Sequence, residues 1–278
     1  MAERIQVLEI TPDSLCRAPL CGIRNPEHEG RRAKEGWLKT ALRKGVKARV
    51  LLTEKGVQFG YAESLPGEHA WRGVQADGYM FVHCIWTYFR KYQGKGYGKL
   101  LIGACLDDAR KAGMKGVATV ARGRPWLAGS ALFLKNGFEV VDTAPPDYEL
   151  LVKRLDPSAP NPRFRGDWDR RLKKYGSGLT IIRAEQCPHS IRFAEKVAAT
   201  AETTYGLKPR VVTLRTWREA QAAPTPFAVF AVIYDGEVLA DHHISARRFK
   251  TLMDRALDRK PTRDALAPSR PRSPGAAS

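Results

Sequence analysis

The sequence predicts an α/β protein in two regions, a mixed sheet flanked by helices and then a smaller α/β unit. Three observations lead there. Strand and helix signals alternate along the chain, the pattern of layered α/β architectures. Residues 79–87 are almost continuously apolar and aromatic, as a central strand covered on both faces must be. Residues 156–162 place three prolines in seven positions, which reads as an extended spacer between folding units. With 278 residues, 43% apolar and 27% charged, the chain is long enough for two packed cores.

In the first region, 1–155, a strand is expected at residues 5–10. Residues 29–44 read as a helix with Ala33, Trp37, Leu38, Ala41 and Leu42 on one side. Strands follow at 49–52, 57–63 and 79–87. Residues 99–112 set Leu101, Cys105, Ala109 and Ala112 at helical spacing, and Gly113 stops that helix. A strand at 116–121, a helix at 125–136 ended by Gly137, and strands at 138–141 and 148–153 complete the region. Residues 156–165 form the linker. In the second region, 166–258, the order is strand 178–183, helix 188–205, strand 211–213 and helix 217–222. A hairpin, 227–234 and 237–240, then turns on Asp235-Gly236, before a helix at 245–255. Residues 259–278 are a basic tail rich in Pro, Ser and Ala, expected to be disordered.

Charge and cysteine usage exclude several function classes. The net charge of +18 divides evenly, +9 on each side of residue 155, whereas nucleic-acid modules concentrate charge on one arm or face. No RNA- or DNA-reading motif is present, so a nucleic-acid partner is not expected. An even basic excess suits small polyanions such as nucleotides and coenzyme A. Cys16, Cys21, Cys84, Cys105 and Cys187 form no CxxC pair, so neither a structural metal nor a disulfide framework is expected, and the cytoplasm is the natural compartment. The first ten residues carry charges where a signal peptide needs an apolar stretch. The longest apolar run, residues 227–234, is far short of a membrane span.

The strongest chemical signal is Gln93-Gly-Lys-Gly-Tyr-Gly-Lys99, placed after the central strand and opening a helix. Gly96 and Gly98 let backbone approach a ligand closely. The free amides and positive dipole end of the helix make an anion site suited to a pyrophosphate, with Lys95 and Lys99 adding charge. A Walker loop would need Ser or Thr where Leu100 stands. A dinucleotide fingerprint would need glycine at Lys99. Both fail.

Gln93, Gly96 and Gly98 do match Gln/Arg-x-x-Gly-x-Gly/Ala, and the chain resembles the GNAT superfamily of N-acetyltransferases there. The stretch Ala131-Leu-Phe-Leu-Lys-Asn-Gly-Phe-Glu139 resembles that superfamily's later helix-to-strand signature. Cys21-Gly-Ile-Arg-Asn-Pro-Glu-His-Glu-Gly30, Pro66-Gly-Glu68 with Trp71-Arg72, and Val82-His-Cys-Ile-Trp86 are similar to the YoaP-type branch, covering roughly nine-tenths of the chain. That resemblance implies an acetyl-CoA-dependent enzyme transferring acetyl directly from the thioester to a small-molecule or peptide amine, with no metal. It implies two parallel strands splaying apart, residues 79–87 and 116–121. Cofactor contacts would come from Cys84, Ile85, Trp86, Gln93, Gly94, Lys95, Gly96, Tyr97, Gly98, Lys99 and Asn136.

Many family members protonate the leaving thiolate with a tyrosine four residues before the helix-ending glycine, and here that position is Phe133. The substitute candidates are His83 and Cys84, adjacent on a strand and so expected on opposite faces, with Glu63 as a candidate base at a strand end. Cys21, Asn25, His28 and Glu29 precede the first helix, as substrate-recognition or helix-capping residues. The second region resembles a thioredoxin-like unit, with Cys187 at a helix start, Ser190 in the second cysteine's place and Pro226 as candidate cis-proline. A thiol so placed is favoured as thiolate, making Cys187 a candidate redox thiol. The alternative function is therefore a monothiol redox or binding protein with an inactive GNAT domain. The basic run from Arg163 to Lys174 reads as a solvated face.

Overall fold

The computed structural model describes residues 4–23, 25–123 and 125–259. The elements run β1 (Ile5–Glu9), α1 (Glu29–Leu42), β2 (Lys47–Thr53), β3 (Gln58–Pro66), β4 (Val74–Gln75), β5 (Tyr79–Thr87), α2 (Tyr97–Lys111), β6 (Gly116–Ala121), α3 (Ser130–Leu134), β7 (Glu139–Ala144), β8 (Tyr148–Arg154) and β9 (Arg163–Phe164). There follow α4 (Trp168–Leu172), β10 (Leu179–Ala184), α5 (Ser190–Tyr205), β11 (Arg210–Leu214), α6 (Trp217–Gln221), β12 (Phe230–Tyr234), β13 (Glu237–Ala240) and α7 (Ala246–Asp258).

A seven-stranded sheet orders its strands β1-β2-β3-β5-β6-β8-β7. Neighbours are antiparallel except β5 and β6, which are parallel. One face is covered by α2, whose Leu101, Ile102, Cys105, Leu106 and Ala109 are buried in a core shared with Met80, Val82, Val117 and Phe133. On the other face Trp37 and Leu38 of α1 join Tyr61, Phe81 and Val120. β5 is thus apolar along both sides for the reason its composition suggests.

The second region is a four-stranded sheet, β11-β10-β12-β13. β10 is parallel to β11 and antiparallel to β12, which is antiparallel to β13. α5 buries Ile191, Ala194 and Val197, and α7 buries Phe249 and Met253. The apolar core is continuous from Trp37, Tyr61 and Trp71 into Phe227, Val229 and Ile182.

Several expectations are corrected. Residues 156–165 are docked rather than an open spacer. β9 pairs with β4, Phe164 N–H donates to Asp142 Oδ2 at 2.7 Å and Tyr79 Oη to the Pro160 carbonyl at 2.9 Å, because buried backbone must find partners. The helix expected at 125–136 is α3 alone, since Trp126 takes a left-handed φ of +74° and Gly129 is extended. Strand 227–234 begins only at Phe230, after Ala228 at φ +64°. The cis peptide among the described residues is Pro145–Pro146, so Pro226 is trans. The basic run is not wholly solvated. It contains α4, and Arg165 and Arg171 donate to Gln221 Oε1 and to its carbonyl at 2.7 and 2.6 Å. The expected tail, apart from Arg259, lies outside the described residues, among which no helix is long and apolar enough to cross a membrane.

Candidate active site

The site begins where two neighbouring strands part. β5 pairs with β6 through Tyr79–Val82 against Gly116–Thr119, and Thr119 Oγ1 closes the last rung by donating to the Val82 carbonyl at 3.0 Å. Beyond it β5 stays with β3 as far as Gly60↔Thr87, while β6 stays with β8 as far as Ala121↔Glu149. Among the described residues no strand takes up the edge of β5 from Cys84 to Thr87. The sequence places an extra residue at this point. Glu63 pairs with Cys84 and Ser64 with Val82, leaving His83 as a bulge, a device that bends a strand and sharpens its twist.

The bulge also overturns the expected opposite orientation of His83 and Cys84. Both belong to the α1 side: His83 Nδ1 lies 3.6 Å from Glu63 Oε1, and Cys84 packs against the cluster holding Tyr61 and Phe81. His83 Nε2 accepts from the Trp71 N–H at 2.7 Å, which leaves the ring proton on Nδ1. Burial, aided by the Arg72 and Lys34 charges, pushes its pKa down to about 4 against the pull of Glu63.

Glu63 is no strand-end base. It is fully buried within β3. Lys34 Nζ donates to its Oε2 at 2.5 Å, Tyr61 Oη to the same oxygen at 2.7 Å and Gln186 Nε2 to Oε1 at 2.7 Å. Burial alone would raise its pKa, but the Lys34 ammonium and the His83 N–H hold it well below the usual carboxylate range. Lys34 Nζ donates also to the Gln186 carbonyl at 2.6 Å. A carboxylate so saturated joins the two regions and takes no proton.

Two adjoining cavities open along the parted strands. One, of about 320 Å³, is lined by Ile85, Trp86, Gln93, Gly94, Gly96, Tyr97, Gly98, Lys99 and Asn136 together with Lys135. This gathers all the expected cofactor residues except Cys84 and Lys95. Gly96 caps α2 at φ +84°, a left-handed conformation that glycine adopts without strain. The first amides of α2 lack intrahelical acceptors by helix geometry. Asn136 Nδ2 donates to the Leu132 carbonyl at 2.7 Å, which fixes the end of α3 beside the loop.

The second cavity, about 660 Å³, shares Ile85, Trp86, Gln93 and Leu132 with the first and runs on to Cys21, His83, Cys84, Tyr88, Trp126 and Phe133. Cys187, Pro188 and His189 of the second region close it. Phe133 is buried against Phe138 and offers no proton. Burial pushes the Cys84 thiol up to about 12, with Glu63 and Cys187 adding to the effect. It likewise raises Cys187, against the His189 N–H that its sulfur accepts, and Cys21. Desolvation therefore outweighs the helix start, and Cys187 is not the activated thiolate the sequence suggests.

Of Cys21, Asn25, His28 and Glu29, Cys21 alone lines this cavity. Asn25 is exposed, its Oδ1 accepting from the Glu27 N–H at 2.9 Å. His28 caps the helix, its Nδ1 accepting from the Gly30 N–H at 3.1 Å. Glu29 is an exposed first-turn acid. Of these three, His28 is the helix cap. Tyr88, Trp126 and His189, by contrast, escape local sequence reasoning because they meet through three separate loops. Among the described residues no cluster of His, Cys, Asp or Glu could hold a metal ion.

Sequence comparison finds the uncharacterized N-acetyltransferase YoaP of Bacillus subtilis strain 168, 28% identical over 254 residues, spanning 89% of this chain and 98% of that protein. The chain is similar to YoaP along most of its length. Residues 210–251 match the YoaP-like family model, and they cover β11 through the first half of α7. Similar solved structures include YncA of Salmonella typhimurium with its cofactor acetyl-CoA, at 18% identity and TM-score 0.41, covering 56% of this chain and 98% of that one. The GNAT family N-acetyltransferase YhbS of Escherichia coli in complex with CoA matches at 17% and 0.38, covering 59% and 91%.

Proposed function

We propose that the chain is an acetyl-CoA-dependent N-acetyltransferase that moves acetyl from the thioester directly to an amine. The observation that carries this reading is the parting of β5 from β6 after Val82 and Thr119, over two cavities that share residues. Similarity to the N-acetyltransferase YoaP supports it. The strand order of the sheets supports a GNAT domain at residues 1–155 and a thioredoxin-like unit at 166–258. The five cysteines are free thiols, in keeping with a cytoplasmic enzyme. The raised Cys187 thiol gives the redox alternative no support.

Acetyl-CoA supplies the activated acetyl group, and the chain's residues hold it. The amides opening α2 and the positive end of its dipole receive the pyrophosphate, with Lys99, Lys135 and the exposed Lys95 around it. The open edge of β5 offers N–H and C=O groups that an amide-bearing pantetheine arm pairs with as a strand would. At its far end a strand amide polarises the thioester carbonyl, in a chamber walled by Trp86, Tyr88 and Trp126. Such donors act strongly where water is excluded.

Isothermal titration of acetyl-CoA into the full chain should give micromolar binding, and Gly96→Glu should weaken it at least 100-fold. A Cβ at Gly96 meets open space. The substitution therefore costs about 1–2 kcal/mol of left-handed strain, leaves the fold intact by circular dichroism, and sets a carboxylate against the anion cradle. Well-folded wild type that binds no acetyl-CoA overturns the reading.

A further inference from the structure

We infer that the second region completes the reaction chamber: His189 accepts the proton of a small amine whose apolar or aromatic body lies among Trp86, Tyr88 and Trp126. This rests on the acetyltransferase reading above, and it names both the base and the acceptor class that reading leaves open.

The argument starts from the chamber wall. Among the described residues its titratable side chains are Cys21, His83, Cys84, Tyr88, Cys187 and His189. The three thiols and the Tyr88 hydroxyl are all held protonated by burial. His83 spends Nε2 on the Trp71 N–H and turns its protonated Nδ1 to Glu63. His189 differs. It is the N-cap of α5, half-buried, with its ring 5.8 Å from that of Trp126. Trp126 is itself fixed to the second region. Its Nε1 donates to the His243 carbonyl at 2.8 Å, and its ring lies edge-on to Phe193 at 5.1 Å. The titratable groups around His189 are His28 ahead of α1, Arg192 on α5, the Cys187 thiol that accepts its backbone N–H, and the buried His243, which packs on the same Trp126 ring. Burial, then His28 and Arg192, lower its pKa from the ordinary value, so the ring is the free base at neutral pH.

The same wall selects the acceptor. Among the described residues no Asp or Glu lines the chamber, and the protein carries +18 overall. A polycation finds no counter-charge there and is repelled on approach. Three aromatic rings instead favour a compact body with one amine. In the step, one proton of the substrate ammonium passes to His189 and from there to water. The freed nitrogen lone pair forms the C–N bond at the thioester carbon. The C–S bond breaks with its electron pair on sulfur, and the second nitrogen proton goes to that sulfur, giving the thiol and the neutral amide. No separate acid at position 133 is required.

The test uses the full chain with phenethylamine and, as the polycation, spermidine. Titration should show phenethylamine binding to wild type and spermidine not binding. His189→Gln should hold acetyl-CoA within threefold of wild type yet acetylate phenethylamine about 10²–10⁴-fold more slowly, the usual range for removing a general base. Wild-type kcat/KM should level off above an acid limb lying below pH 6.5. In His189→Gln it should climb tenfold per pH unit toward the amine's own pKa, a change a merely structural role would not produce. A His189→Gln rate within threefold of wild type and an unchanged limb overturns the base assignment. Faster acetylation of spermidine than of phenethylamine overturns the acceptor class. Failure of wild type to bind acetyl-CoA instead defeats the acetyltransferase reading itself.

Discussion

Replacing Lys34 by alanine is expected to cost the fold about 3–5 kcal/mol, the range for removing one partner of a buried ion pair. Lys34 and Glu63 are both essentially inaccessible, at 1% and 0% side-chain exposure. Without the ammonium, the Glu63 carboxylate keeps only Tyr61 and Gln186 as strong donors, and the Gln186 carbonyl loses a partner across the two regions. Urea unfolding measures the loss directly. The companion Lys34→Met/Glu63→Gln should recover most of it, because a neutral pair leaves no buried charge. The pH dependence has a definite sign. In wild type the native Glu63 pKa is depressed, so its contribution is complete above the unfolded value of about 4.3 and is lost as pH falls below it. In Lys34→Ala burial dominates and lifts the Glu63 pKa, so protonation relieves the defect. The stability gap between the two proteins should narrow from pH 7 toward pH 4. A Lys34→Ala change under 1 kcal/mol at pH 7 would remove this network from the interface.

That network shows how far the sequence could be read. The glycine loop was legible because its meaning is local: seven consecutive residues after an apolar strand place amides at a helix start, and the structure gathers Gln93 through Lys99 with Asn136 around one cavity, apart from Lys95. The role of Glu63 was not legible, because Lys34 and Gln186 stand 29 and 123 residues away from it and no local pattern announces them. The two-residue strand period puts His83 and Cys84 on opposite faces, and a single bulged residue resets it. Cys187 departs from expectation for a different reason. Its place before a helix is visible in sequence, but the burial that outweighs that place comes from the first region closing over it. Element order survives in sequence because it follows periodicity. The chamber does not, because it is assembled from Cys21, Tyr88, Trp126 and His189 on four separated stretches.

Gly30→Ala should uncouple the chamber from the cofactor loop. Gly30 lies in the first turn of α1 and is buried. By helix propensity alone, alanine there would stabilise the protein by about 1 kcal/mol. The packing reverses that sign. A Cβ at Gly30 would stand 1.9 Å from the Pro188 carbonyl oxygen and 2.9 Å from its carbon, both backbone atoms of the segment that carries Cys187 and His189. Helix and segment must separate, at the 1–3 kcal/mol typical of overpacking. The displacement falls on the wall that faces the acceptor, where an error of about 1 Å costs on the order of 10²-fold in rate. The proposed pyrophosphate cradle at Gly96–Lys99 belongs to the other cavity, so acetyl-CoA affinity should stay within threefold. Gly36→Ala is the matched control, on the same helix with nothing within 4 Å of its Cβ, and it should gain about 1 kcal/mol with activity unchanged. Urea midpoints, acetyl-CoA titration and phenethylamine turnover on the two variants separate the effects. If Gly30→Ala matches Gly36→Ala in all three, the contact between α1 and Pro188 does not position the chamber, and the second region has no mechanical hold on the chemistry.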